Sequence, residues 1–173
     1  MSPKKNKMKK LALAFTALLL LSVSCMAQEQ LAFPFQGGKE IMTRFFKDSI
    51  NLSKDLIKKR ATGTAIFKFT ADENGVLSKI VIYYADDLAL TPFIVEALKR
   101  SSKKWIIPNK EKFHDFILPF SIRHNTPVTG ITEVQKSHYD FYKNSKPFVS
   151  ADQIPLNEAS LLPTVIINYD VAQ

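Results

Sequence analysis

The segment 62–84 constrains the fold most, because it allows only one local architecture. Thr62 to Thr70 alternates: Ala65, Phe67 and Phe69 fall on one side, and Thr64, Ile66, Lys68 and Thr70 on the other. That period of two, rich in β-branched and aromatic residues, is a half-buried strand. Ala71-Asp72-Glu73-Asn74-Gly75 follows as a turn, with Asn74-Gly75 able to take positive φ at little cost. Val76 to Tyr84 returns as a second strand. Its inward face is open between Ile80, Ile82 and Tyr84 on one side and Leu77, Val81 and Tyr83 on the other. The two strands predict a β-hairpin.

A hairpin alone is marginal in water and needs covering elements. Between Lys39 and Ile50, the residues Ile41, Met42, Phe45, Phe46 and Ser49/Ile50 share one helical face. Thr91-Pro92 starts another helix, a capping hydroxyl before a residue suited to the first turn. In it Leu90, Ile94, Ala97, Leu98 and Ser101 align, and Lys99, Arg100, Lys103 and Lys104 suit the negative end of the dipole. Phe113 to Arg123 predicts a third strand, and Pro119, which cannot donate to a ladder, places it at a sheet edge. A helix between the second and third strands makes them run the same way, so the first strand lies between them. The expectation is an α+β fold: a three-stranded antiparallel sheet of order 2-1-3 with two helices on one face. Residues 125–173 form a C-terminal extension with a helix and a strand. Ile131, Val134, His138 and Phe141 give Gly130 to Asn144 a helical period, and Val165 to Ile167 is an uncharged β-prone run. Left exposed, that run would invite aggregation, so it is expected to form a strand, on the sheet edge in cis or donated to another molecule.

The first 27 residues read as a secretory signal. Lys4, Lys5, Lys7, Lys9 and Lys10 precede the apolar run Leu11–Leu21, and Ser22, Ser24, Cys25 and Ala27 follow. The run is shorter than the roughly 20 residues that span a bilayer. Five of the 24 basic residues and none of the 16 acidic ones lie in this segment. Most of the net charge of +8 therefore belongs to it and is no argument for nucleic-acid binding. Cys25, the only cysteine, permits no intrachain disulfide. Two alternatives stand: cleavage after Ala27, or lipidation at Cys25. The expected location is accordingly the periplasm, or the outer membrane as a lipoprotein. The remaining chain is one domain's length, and the 13 Phe predict an aromatic core.

Several residues, in order, resemble the C-terminal domain of TonB-type energy transducers. They are Phe33-Pro34-Phe35-Gln36-Gly37-Gly38, Gly63, Gly75-Val76, Glu96-Ala97, Trp105 with Pro108, and Leu118-Pro119-Phe120. The resemblance covers roughly residues 33 to 124, and residues 28–124 are taken as the TonB C-terminal-like domain. It implies the fold rather than energy coupling, because no long Pro-rich spacer follows the signal. It also points to a segment of an outer-membrane transport receptor as a partner.

Chemistry is sparse. His114, His124 and His138 are the candidates for neutral-pH acid–base work or metal ligation, but none lies in H-E-x-x-H and no cysteine supports them. Each reads better as a surface or strand-end histidine. His114-Asp115 beside a serine would draw a hydrolase dyad, but no G-x-S-x-G elbow is present. Asp86-Asp87 reads as turn chemistry rather than a calcium site. Tyr83-Tyr84, Tyr139, Phe141 and Tyr142 read as core rather than contact aromatics. No catalytic residue, metal or cofactor is expected, and the chain is not expected to be an enzyme.

The expectation is a non-catalytic binding module that pairs its sheet edge with an extended peptide of an envelope or transport protein. The edge residues are Phe116, Leu118, Phe120 and Ile122. The module is expected as a monomer or weak homodimer, meeting a membrane only if lipidated. The alternative is a structural or assembly protein whose edge is capped by its own C-terminal strand or by a second copy. A hydrolase is a third reading, which requires His114, Asp115 and a serine to meet in a pocket.

Overall fold

A computed structural model describes residues 33–108, 111–125, 130–151 and 158–170. Residues 1–27, read above as a secretory signal, and with them Cys25, lie outside the described residues. The hairpin forms as its alternation dictates. Strand β1 is Gly63–Asp72 and β2 is Leu77–Ala85. The turn between them is tied by Asp72, whose Oδ1 accepts from Asn74 N at 2.9 Å and Val76 N at 2.8 Å. Gly75 has φ +72°, and a Cβ there would lie 2.4 Å from the Trp105 carbonyl oxygen. Only glycine lets the turn pack so closely on the tryptophan backbone.

Helix α1 (Gly38–Ser49) buries Met42 and Phe46. The short helix α2 (Lys54–Lys58), not foreseen in the sequence, is capped by Ser53 Oγ accepting from Leu56 N at 3.3 Å. Helix α3 (Pro92–Arg100) follows a 3₁₀ turn at Leu88–Leu90. Thr91 is not the hydroxyl cap expected of it: its Oγ1–H donates backward to Leu88 O at 2.9 Å. The predicted face is otherwise as read, with Leu90, Ile94, Ala97, Leu98 and Ser101 all buried.

Strand β3 (Phe113–His124) pairs antiparallel with β1 along its length, so β2-β1-β3 are adjacent in that order. The three-stranded sheet is, however, a correction: the sheet is mixed and has six strands, and the fold has four helices of the α class among the described residues. After α4 (Ile131–Lys143) come β4 (Phe148–Val149), β5 (Ser160–Leu161) and β6 (Val165–Tyr169). β4 adds antiparallel to β2, and β5 and β6 add parallel to β3. Beyond residue 124, the extension is thus built into the same sheet.

The face carrying Ala65, Phe67, Phe69, Ala71, Phe116, Leu118, Phe120 and Ile122 packs against α1 and α3 in one core. Phe46 meets Phe120 edge-on with ring centres 5.3 Å apart. Trp105 closes the end of α3. Its ring lies 5.0 Å from Phe35, 4.6 Å from Phe69 and 5.3 Å from Phe116, and its Nε1–H donates to Ser101 Oγ at 3.0 Å. Phe67 and Trp105 are both buried.

Neither alternation proposed for β2 holds throughout. The register steps between Ile66 and Phe67 and again between Thr70 and Ala71, which leaves Tyr83 and Ser78 unmatched. Each step shifts the phase by one residue. Leu77, Ile80 and Ile82 therefore pack on the core together, drawn from both sequence patterns.

Candidate functional site

β3 is not an open edge. The predicted edge residues Phe116, Leu118, Phe120 and Ile122 point into the core and are 0–1% exposed. On the outer side of β3, β5 pairs at Phe116 and Ile117, and β6 pairs from Phe120 to His124. Sequence reasoning was right that Pro119 spoils a ladder but wrong about the consequence. Ile117 O accepts from Leu162 N at 2.8 Å, and Asn125 N donates to Tyr169 O at 2.9 Å. Odd-numbered β3 residues therefore turn their backbone outward, toward the tail. The missing donor of Pro119 faces that way too. The tail leaves the ladder there, between Leu161 and Val165, and rejoins it beyond.

Val165 and Ile167 of β6 are 0% and 4% exposed. The phenol of Tyr169 donates to Ala61 O at 2.8 Å. Burial pushes its pKa up to about 12, against a smaller opposing effect of Arg60.

A second arrangement lies at the start of β3. Glu111 Oε2 is 2.7 Å from His114 Nδ1, and His114 Nε2 is 2.8 Å from Ser160 Oγ. The carboxylate can only accept, so Nδ1 carries a hydrogen, and in the neutral ring Nε2 is left to accept from the serine hydroxyl. The imidazole side chain is 10% exposed and sits edge-on against Phe116, ring centres 4.7 Å apart. A cavity of about 380 Å³ opens beside it, lined by Glu111, Phe113, His114, Asp115 and Glu158. His114, read from the sequence as a strand-end histidine, thus meets Glu111 and Ser160 rather than pairing with Asp115.

Asp115 works elsewhere. It accepts from Thr70 Oγ1 at 2.6 Å and lies 2.8 Å from Lys68 Nζ. Its partial burial would push the carboxyl up. The bonds from Lys68 and Thr70 outweigh this and hold it below its usual value, with further help from the Lys68 and His114 charges. Lys68, on the sheet face away from the helices, is only 3% exposed.

The remaining candidates resolve into local structure. His138 Nδ1 lies 3.1 Å from Thr62 Oγ1, and its ring is 5.7 Å from that of His124. Asp86 accepts from Thr64 N at 2.6 Å and from the Tyr84 phenol, which is pushed up by that carboxylate. Asp87 accepts from Ala89 N at 2.7 Å and Lys146 N at 3.2 Å. Tyr139 and Tyr142 are 61% and 72% exposed, so they are not core aromatics, whereas Phe141 packs against the core. Glu111 and Ser160 were missed. Glu111 stands three residues before His114, a spacing visible in the sequence, but Ser160 comes from the far end of the chain and had no local signal. No helix among the described residues is long and apolar enough to cross a membrane. Compared with known proteins, the chain matches no family model, no curated protein and no solved structure.

Proposed function

We propose that this chain is a binding module of the bacterial envelope that takes up an extended peptide on the outer edge of β3, in place of its own tail. The observation that carries the reading is the composition of that edge. Among the described residues it is closed by a two-residue strand and a five-residue strand, with a break opposite Pro119. An incoming peptide would gain the same outward backbone groups, and the pockets that hold Val165 and Ile167 would select apolar residues at alternate positions. TonB-like partners, such as a segment of an outer-membrane receptor, have this extended character. The alternative is a structural module whose edge stays closed by the tail. The burial of Val165 and Ile167 favours it.

Ser121 and Ile166 are partners across β3 and β6, so a Ser121→Cys/Ile166→Cys double variant can lock the tail in place. A fluorescent peptide copying residues 160–170 is offered to the full chain. Uptake by the reduced variant, lost on oxidation and regained on reduction, supports exchange at this edge. No uptake in either state, with equal capture of envelope proteins by both, rejects it in favour of the structural reading.

A further inference from the structure

We propose that Ser160, His114 and Glu111 form an esterase site, with Ser160 as nucleophile, His114 as general base and Glu111 as the positioning residue for the imidazole. The proposal concerns the chain with its own tail docked, since it needs β5 in place on β3.

The order of contacts is what nucleophilic catalysis requires. A serine hydroxyl is a weak nucleophile until a base within hydrogen-bond reach takes its proton. His114 Nε2 stands at 2.8 Å from Ser160 Oγ. The base must present a lone pair to the serine, and Glu111 fixes that tautomer from the other ring nitrogen at 2.7 Å. Phe116 against the ring limits rotation of the imidazole. The backbone donor next to the nucleophile is turned away from the β3 ladder. Leu162 N–H turns toward β3 and donates to Ile117 O. The N–H of Leu161, one residue earlier in the strand, therefore points away from β3, on a residue 71% exposed. The amide following the nucleophile commonly supplies one oxyanion donor.

The chemistry balances with water as the only co-substrate. The Ser160 Oγ lone pair forms a bond to the ester carbonyl carbon while its proton passes to His114 Nε2. The carbonyl π pair moves onto oxygen, facing the Leu161 N–H. As the carbonyl re-forms, the bond to the alcohol oxygen breaks, and the leaving alcohol takes the proton from Nε2. Water then attacks the acyl-serine, giving its proton to Nε2, and Ser160 leaves with that proton as the free hydroxyl. The sum is ester plus water to acid plus alcohol.

The cavity beside His114, which the base lines and Ser160 does not, indicates the class of ester. Its lining carries the carboxylates of Glu111, Asp115 and Glu158, and its described lining residues include no lysine or arginine. Lys68 offsets Asp115 but is too buried to face a substrate. Phe113, 61% exposed, supplies an apolar wall. An ester with a cationic group on an apolar stem fits this lining; an anionic ester does not.

The test uses the full chain and a fluorophosphonate probe, with the labelled residue located by peptide mass. Label is expected on Ser160, with none in Ser160→Ala and a loss of about 100-fold or more in His114→Gln. Ser78→Ala should label as the parent does. Because His114→Gln removes two hydrogen bonds and could unfold the site, Glu111→Gln is the second variant. Its side chain is 41% exposed, and it should slow labelling while the melting temperature stays unchanged. The lysine p-nitrophenyl ester should be hydrolysed about 10-fold or more faster than the glutamate ester, which places a like charge against the carboxylates. The oxidised Ser121→Cys/Ile166→Cys variant should still label, which separates this site from peptide uptake. Labelling of Ser160 no faster than of Ser78, or unchanged in both His114→Gln and Glu111→Gln, overturns the catalytic assignment. Equal turnover of the two esters overturns the substrate class.

Discussion

The two edges of the sheet are both met by the same C-terminal stretch, with unequal results. On β2, β4 supplies two residues opposite Tyr84 and Ala85, and Val149 remains 71% exposed. On β3, β6 supplies five residues, and Val165 and Ile167 disappear into the core. Backbone pairing is common to both edges; burial of apolar side chains is not. Net backbone hydrogen bonds contribute about 1 kcal/mol each. A fully buried aliphatic side chain adds about 1.5–3 kcal/mol. The difference teaches that strand pairing alone marks a neighbour, while side-chain burial decides which neighbour is held.

The comparison is most strongly challenged on the inner faces. Phe120→Ala should cost about 3–5 kcal/mol, read as the shift in denaturant midpoint. Ile82→Ala, only partly buried on β2, should cost less than half of that. Equal losses would make the two sides of the sheet equivalent. At the edges themselves, Ile167→Ala should lose about 2–5 kcal/mol, and Val149→Ala should stay within about 0.5 kcal/mol. A Val149→Ala loss matching that of Ile167→Ala would mean that β4 is held as firmly as β6.

The pH dependence sharpens the contrast. Tyr169 has its folded pKa raised to about 12, above the ordinary phenol value near 10. The folded state favours the neutral form, so this stabilisation is complete below about pH 10 and is lost as the pH rises toward 12. Stability should fall in that window in the parent and less so in Tyr169→Phe. Amides of β6 should exchange first, while those of β4 show no such step. A smaller effect lies on the acid side. Asp115 has its folded pKa lowered, so its contribution is present above the ordinary carboxylate value and is lost as pH falls through the folded one. Asp115→Asn should flatten the acid limb of stability against pH; an unaltered limb would show that the Lys68 contact contributes nothing measurable.

Much of this fold was legible because local chemistry dictated it. The alternation at Ala65, Phe67 and Phe69 gave β1 its face, and Leu90, Ile94, Ala97 and Leu98 gave α3 its own. Adjacency of β2, β1 and β3 followed from chain direction. What failed to show had non-local causes. The face of β2 was hidden by two register steps, which mix the two alternations that a sequence can display. Val165–Ile167 announced a strand but not its parallel direction, since direction depends on where the preceding chain returns to the sheet. Phe148–Val149 and Ser160–Leu161 are too short to carry any period. The Glu111-His114-Ser160 contact exists only because β5 docks on β3. β3, with Phe116, Leu118, Phe120 and Ile122, is not left as an open edge, because a proline excludes a ladder bond at one residue, not along a strand.

The parallel arrival of β6 has a kinetic consequence. β1 and β2 meet through a short turn, joining Thr70 to Lys79, whereas β6 joins Ile167 to Ile122 across α4 and two further strands. Contacts separated by a short loop close early, and those across a long one close late. The hairpin and α3 are therefore expected to assemble while the outer backbone of β3 is still bare. On this order, a folding chain is expected to expose the outer edge of β3 to other copies of itself for a time. The tail then acts as a timer: how quickly β6 docks sets how long each molecule remains adhesive, and so the concentration at which refolding gives way to aggregation.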